Sequence, residues 1–424
     1  MSGPVDAALE AAHRESWGVV VAATVRVVRD LDLAEECVQE AYADAVRRWG
    51  VDGAPDNPAA WLTTAARRRA VDVVRREVAL TARLPLLVEP EVADEDDEEP
   101  PTREAPVRDE RLRLLLLCCH PALAPDARSA LTLRLVLGVA TPDVARAFLV
   151  PEATMAARLT RAKRKIVGSG IPFRVPAPEE LPERVHAVAD VVLLLLTAGH
   201  TAPSGDVAVR VDLVDEALRL ARLLLHLVPD DPEVRGLLAL ALVVAARRAT
   251  RLSPAGLLVP LADQDRAAWD RAAIAEARGL CTTALPHPAA GRIALQAAIA
   301  VLHAEAPSAG ATDRRQVLGL YDALLAIDPS PVVALNRAVA VAEVEGAEVA
   351  LRLVDAIDAD GGLAAYPYLP AVRGDLLERL GRAPEAAEAF ERAAALTANG
   401  AERAFLTARA AALTDRTSGA GTIR

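Results

Sequence analysis

Apolar residues recur along this chain every three to four positions and rarely alternate every second residue, the spacing of helices packed on one face. The pattern predicts a helix from Val5 to Val28, a restart after Arg29-Asp30-Leu31 that runs to Trp49, and a loop from Gly50 to Pro58. Asn57 is placed to cap the next helix, and Pro58 sits in its first turn, where a missing amide proton costs nothing. Along that helix Trp61, Leu62, Ala65, Ala66, Val73 and Val74 form an apolar face, while Arg68 and Arg75, and Arg69 and Arg76, recur seven apart as a basic stripe. Residues 86 to 108 are too rich in proline and carboxylate to fold alone and read as a linker.

A second small helical unit follows from 109 to 170. Near its end Thr141 and Pro142 open a short helix, Phe148-Leu149-Val150 turns the chain, and Pro151 opens another. In this last helix Met155, Leu159, Ala162 and Ile166 share one face that must dock, and Thr154, Arg158, Arg161 and Lys165 form a basic edge beside it. Two short helices with such an edge have the geometry of a helix-turn-helix; the plainer reading is a solvated basic face. From Ile171 to the end the pattern becomes one of helix pairs. Gly374, Leu377, Gly381, Ala386, Phe390 and Ala393 match the small and large positions of a tetratricopeptide repeat. Ala338, Val341, Ala350 and Val354 form a looser copy, and Ala217, Ala221 and Leu224, followed by Gly236, a fragment of another. The expected fold is therefore all-α, with two small helical domains at 1–85 and 109–170, a linker at 86–108, and an irregular helical solenoid at 171–424.

Composition changes this picture little, but charge changes it considerably. The formal net charge of -11 argues against a nucleic-acid partner until its distribution is read. From Glu89 to Glu110 stand eleven acidic and two basic residues, whereas Ala59 to Arg76 holds five arginines against Asp72. Val139 to Gly168 holds six basic residues against Asp143 and Glu152, so the acidity lies in the linker and the basic charge on two helices. Apolar runs such as Leu114 to Cys119 and Val191 to Leu196 fall far short of the roughly 20 residues a membrane span needs. No leader pattern opens the chain, so a cytoplasmic protein is expected. Cys37, Cys118, Cys119 and Cys281 lack metal-ligand spacing, and no phosphate-loop, nucleophile-elbow or zinc-protease motif is present, so neither cofactor nor metal nor catalysis is expected.

Three segments carry a specific resemblance. Asp32-Leu33-Ala34-Glu35-Glu36-Cys37-Val38-Gln39-Glu40-Ala41-Tyr42 resembles the core-binding helix of the extracytoplasmic-function sigma factors, members of the sigma-70 family. Asn57-Pro58-Ala59-Ala60-Trp61-Leu62, with Ala66-Arg67, Asp72, Arg75 and Arg76, is similar to that family's reader of the -10 promoter element. Phe148 to Met155 with Arg161 to Ile166 resembles the -35 reader of the subgroup that bears tetratricopeptide-like extensions. The likeness continues through Asp263-Gln264-Asp265-Arg266 and Trp269-Asp270 and covers almost the whole chain. Members of that subgroup usually read Asn-Glu-Gly-Tyr where this chain has Thr197-Ala198-Gly199-His200, so what that motif carries does not transfer.

The resemblance implies a promoter-specificity subunit of RNA polymerase. It places Asp32, Glu35, Glu36, Gln39 and Glu40 against the clamp helices of the β′ subunit, with the second domain near the flap of β. It assigns Asn57, Arg67, Arg68, Arg69, Arg75 and Arg76 to the -10 strand, and Thr154, Arg158, Arg161, Lys163, Arg164 and Lys165 to the -35 duplex. Arg158 and Arg161 would read bases, and Lys163, Arg164 and Lys165 would mostly touch phosphates. The acidic linker would either thread the polymerase's positive channels or act as a spacer, and the extension would bind a regulatory protein or ligand. Two other classes stay open: a helix-turn-helix regulator acting on duplex DNA without polymerase, and a repeat scaffold with degenerate DNA-binding parts.

Overall fold

The computed structural model describes residues 4–81 and 110–420, except 149, 172, 174–175, 177–179, 202–208 and 255. The linker expected at 86–108 lies outside the described residues. Among those described there is no strand, only an isolated antiparallel bridge between Leu252 and Leu258, so the chain is all-α as expected. It divides into two compact units, Met1–Val191 and Val192–Arg424.

Unit 1 opens with α1 (Pro4–Val28), α2 (Leu31–Asp52) and α3 (Pro58–Thr81), each packed on the other two. The Asp30 side chain starts α2 by accepting from the amides of Asp32 and Leu33 at 2.8 and 2.9 Å. Leu31, Ala34, Val38, Ala41, Ala45 and Trp49 then follow at helical spacing and are buried. The helix outlasts the sequence expectation by three residues, to Asp52. Trp49 is anchored in the core, and the chain turns only at Gly53, whose φ of 83° a larger residue rarely adopts and whose amide donates to Trp49 O at 3.0 Å. Asn57 Oδ1 accepts from the Ala60 amide at 3.0 Å, so the predicted cap of α3 is present.

The same unit continues with α4 (Glu110–Cys118), α5 (Pro125–Leu135), α6 (Thr141–Ala147) and α7 (Glu152–Gly168). Met155, Leu159, Ala162 and Ile166 are buried, as their spacing required, and α7 packs against both α5 and α6. α4 and α5 also pack against α1, so the two helical groups touch within one unit. Cys37, Cys118 and Cys119 are buried in unit 1, and burial pushes the Cys119 thiol up to about 12, out of reach of nucleophilic chemistry at neutral pH.

Unit 2 takes the C-terminal end of α8 (Leu181–His200) and, among the described residues, runs through ten further α-helices. The first four are α9 (Val211–Leu227), α10 (Pro232–Arg247), α11 (Arg271–Ala284) and α12 (Arg292–Glu305). They are followed by α13 (Arg314–Ile327), α14 (Pro331–Val344), α15 (Ala347–Ala359), α16 (Tyr368–Arg379), α17 (Ala383–Leu396) and α18 (Gly400–Ala420). Consecutive helices pair, and the small residues predicted to permit this, Ala217, Ala221, Ala338, Ala350, Ala386 and Ala393, are all fully buried. A Cβ on Gly374 would stand 2.9 Å from the Phe390 ring, the small-against-large contact the repeat pattern called for.

Between α10 and α12 the approach is closer still. A Cβ on Gly236 would fall 2.6 Å from Ala294 Cα and 2.7 Å from its amide nitrogen. One turn earlier the Glu233 carboxylate accepts from the amides of Gly291, Ile293 and Ala294 at 2.8 to 3.0 Å, capping α12 from the neighbouring helix. Gly236→Ala is therefore expected to destabilise unit 2 by about 1–3 kcal/mol despite the better helix propensity of alanine, because backbone cannot yield as a side chain does. Urea unfolding followed by circular dichroism checks this, and a gain in stability would contradict the close approach.

Candidate polymerase and nucleic-acid interfaces

Because the apolar side of α2 is consumed by the core, its carboxylates are left on the opposite side. Asp32, Glu36, Gln39 and Glu40 are exposed, whereas Glu35 is buried at 7% exposure. Glu35 accepts from Lys163 Nζ at 2.7 Å and from Arg134, and also from Gln39 Nε2 at 3.3 Å. Lys163 reaches Asp32 as well, at 2.7 Å. Burial alone would push the Lys163 ammonium down, but its bonds to Asp32 and Glu35 outweigh that and hold it above its ordinary range. Arg134 also lies over the Trp17 ring of α1, 5.5 Å from its centre. Thus Lys163, assigned from sequence to the -35 phosphates, here bridges to two residues assigned to polymerase. Its position was legible: it stands four residues after Leu159, on the docked stripe and off the basic edge.

On α3, Leu62, Ala66 and Ala70 face inward, and Arg67, Arg68, Arg75 and Arg76 are exposed with no partner among the described residues. Arg69 differs from them. It donates to Glu40 and Asp44 of α2, and this contact holds the Asp44 carboxyl below the usual carboxylate range. A shallow depression between α1 and α3 is lined by Val19, Asn57, Ala59, Ala60, Thr63, Thr64 and Arg67. It begins at Asn57, which the resemblance assigned to the -10 strand, and it joins that capping side chain to two hydroxyls and the Arg67 guanidinium. Trp49 of α2 and Trp61 of α3 meet edge-on, their ring centres 5.6 Å apart.

On α7, Thr154, Arg161, Arg164 and Lys165 are exposed, so a basic edge remains after Lys163 is withdrawn. Arg158 is half-buried, 5.7 Å from the Phe148 ring centre and 3.4 Å from Asp126. Contacts that sequence reasoning missed, among them Arg134–Glu35, Arg69–Asp44 and Arg158–Asp126, join different helices and leave no periodic signal in one segment.

The segment from Asp263 to Asp270, part of the family likeness, is held by caps and by contacts with neighbouring residues. Asp265 caps the single turn Arg266–Ala268 and Asp270 caps α11, Gln264 Nε2 donates to Val259 O at 3.0 Å, and Trp269 Nε1 donates to Thr250 Oγ1 at 2.8 Å. Among the described residues no helix is long and apolar enough to cross a membrane.

Comparison with known proteins matches these regions to families. Residues 18–79 match Sigma-70 region 2, and residues 113–166 match Sigma-70, region 4. Residues 184–285 match a family of unknown function, DUF6596. The chain is also similar to the uncharacterized protein R00370 of Rhizobium meliloti (strain 1021), at 44% identity over 409 residues, covering 96% of this chain and 95% of that protein.

Proposed function

Because the chain belongs to the sigma-70 family of RNA polymerase sigma factors, we propose that it is a factor of the extracytoplasmic-function type whose helical extension regulates it. The observation that carries this reading is the separation of charge in unit 1: exposed carboxylates on α2, arginines of α3 unpaired among the described residues, and a basic edge on α7. Glu36, Gln39 and Glu40 meet the basic clamp helices of polymerase, where complementary charge sets register and on-rate. Arg67, Arg68, Arg75 and Arg76 hold the phosphates of the -10 strand, and the depression beside Asn57 takes an extruded base. Thr154, Arg161, Arg164 and Lys165 meet the -35 duplex, with Arg158 reading a base once it leaves Asp126. The factor acts in the cytoplasm by recognition, and the nucleotidyl transfer belongs to polymerase.

One consequence follows from sharing. Asp32 and Glu35 cannot serve Lys163 and the polymerase clamp at once, so engaging the core competes with the contact between α2 and α7. The domain limits at 85 and 108 mark a division into a -10 domain and a -35 domain that part when the core binds. The solenoid, of tetratricopeptide-like type, supplies the regulation.

Glu36 tests the polymerase face with least disturbance, because it is exposed and has no partner among the described residues. Glu36→Lys is expected to weaken binding to core polymerase about tenfold or more, the loss shrinking as salt rises, with the unfolding midpoint unchanged. Fluorescence anisotropy of labelled factor against core at two salt concentrations measures it. Unaltered affinity would remove α2 from the interface.

A further inference from the structure

Around Trp269 in unit 2 stand three arginines and two histidines, a grouping that neither the interfaces nor the helix caps account for. Arg247 and Arg266 lie over the Trp269 ring, 5.5 and 4.6 Å from its centre. Arg266 is satisfied, since its Nη1 donates to the carbonyls of His303 and Ala306 at 2.6 and 2.8 Å. Arg247 is not: beyond the Trp269 ring its guanidinium has no hydrogen bond or ion pair with any described residue. Arg251 donates to His200 Nε2 and, at 3.5 Å, to Thr201 Oγ1, and neither group is charged against it.

The unpartnered atoms are all of one kind. Arg247 Nε, Arg251 Nε and His200 Nδ1 are shut off from solvent and have no hydrogen-bond partner among the described residues. Because arginine only donates, His200 Nε2 must accept from Arg251, and the neutral ring then carries its proton on Nδ1. Burial, helped by Arg251 and Arg247, pushes the His200 imidazole down to about 3, so it is neutral at physiological pH. Among the described residues, three N–H donors therefore lack an acceptor and the two guanidinium charges lack an anion.

The carboxylates whose fields reach the group are committed elsewhere. Glu402 accepts from Tyr368 Oη and from Thr397 Oγ1, and Glu343, which acts on His303, pairs with Arg314 and Arg379. Two half-buried cations with no anion among the described residues are unfavourable in a folded domain unless something supplies one. Arginine forks match oxyanions, and the donors outnumber the two oxygens of a carboxylate while suiting the three or four of a phosphate.

We propose that His200, Arg247 and Arg251 form an anion site in unit 2 that takes a phosphate-type oxyanion, either free or as the terminal group of a small molecule. The site does not depend on the transcription reading. It gives the extension a chemical input of its own.

The test is calorimetric titration and thermal unfolding of the full-length chain with inorganic phosphate and, separately, glycerol 3-phosphate, at constant ionic strength. Saturable binding with a rising unfolding midpoint is expected, weakened about tenfold or more in Arg247→Gln. Without phosphate the variant should melt no lower than the parent, because an unpaired charge has gone. Tighter binding of glycerol 3-phosphate identifies a phosphomonoester and weaker binding the free anion, and either supports the site. No saturable effect from both probes, or equal binding by parent and variant, overturns it. Should Arg247→Gln fail to fold, Arg251→Gln carries the same comparison.

Discussion

Glu35→Ala is expected to destabilise unit 1 by about 3–5 kcal/mol, among the largest effects of any single substitution in the chain. The carboxylate is buried and meets two cations, Lys163 at 2.7 Å and Arg134, whose side chains are only 10% and 14% exposed. Removing it leaves both charges desolvated with one remaining carboxylate between them, Asp32, which reaches only Lys163 and is itself exposed. The loss therefore comes mainly from the abandoned cations and less from the bonds themselves. Replacing Glu35, Arg134 and Lys163 together by leucine or methionine is expected to restore most of the stability, since no buried charge is then left. Urea titration of the three proteins separates these outcomes; a change below about 1 kcal/mol in Glu35→Ala would mean that solvent screens the pair.

The pH dependence of this contact has a definite sign. Lys163 is held above its ordinary value in the fold, so its contribution is complete below the unfolded value near 10.5 and is lost as pH rises through the folded one. From neutral pH to about 9 the contribution of Lys163 should be flat. Function gives a second readout: Lys163→Met frees the acidic face of α2 and is expected to tighten core binding, whereas Glu35→Ala both loosens the fold and weakens the core interface.

The second large effect concerns DNA. Replacing Arg67, Arg68, Arg75 and Arg76 by alanine is expected to flatten the dependence of log affinity on log salt by about 3 units for holoenzyme on a promoter fork with single-stranded -10 DNA. Each single-strand phosphate contact contributes about 0.7 to that slope. All four side chains are exposed and unpaired among the described residues, so their removal should leave the unfolding midpoint nearly unchanged. Arg69, tied to Glu40 and Asp44, is expected to add little to the slope when it is replaced as well, and to cost stability instead. An unchanged slope in the fourfold variant would take α3 off the phosphate path.

What the sequence made legible follows from what repeats along one helix. The all-α class, the cap at Asn57, the docked stripe Met155–Leu159–Ala162–Ile166 and the buried small residues of the helix pairs are periodic or local signals, and the structure contains each of them. Helix length at α2 was misjudged because Gly50 looks like a stop. The true stop is Gly53, selected by its positive φ, and Trp49 holds the intervening turn in place. The site residues were chosen by type and motif, which cannot tell a free charge from a paired one. Arg67 and Arg69 look equivalent in sequence, yet only Arg69 has carboxylates of α2 in reach. The buried bridge from Lys163 to Glu35 spans 128 residues and rests on how two helical groups meet, which no local pattern encodes. The unpaired cations Arg247 and Arg251 were equally hidden, for in sequence they are two more arginines among many.

The central claim is that this chain directs polymerase to promoters. It is tested most directly by transcription in vitro from pooled genomic fragments, using cognate core polymerase with and without the full-length chain and mapping start sites by sequencing. The account predicts new, discrete starts that share two spaced upstream motifs and disappear with the fourfold arginine variant. A chain that binds core poorly and adds no starts, while binding duplex DNA on its own, would contradict it.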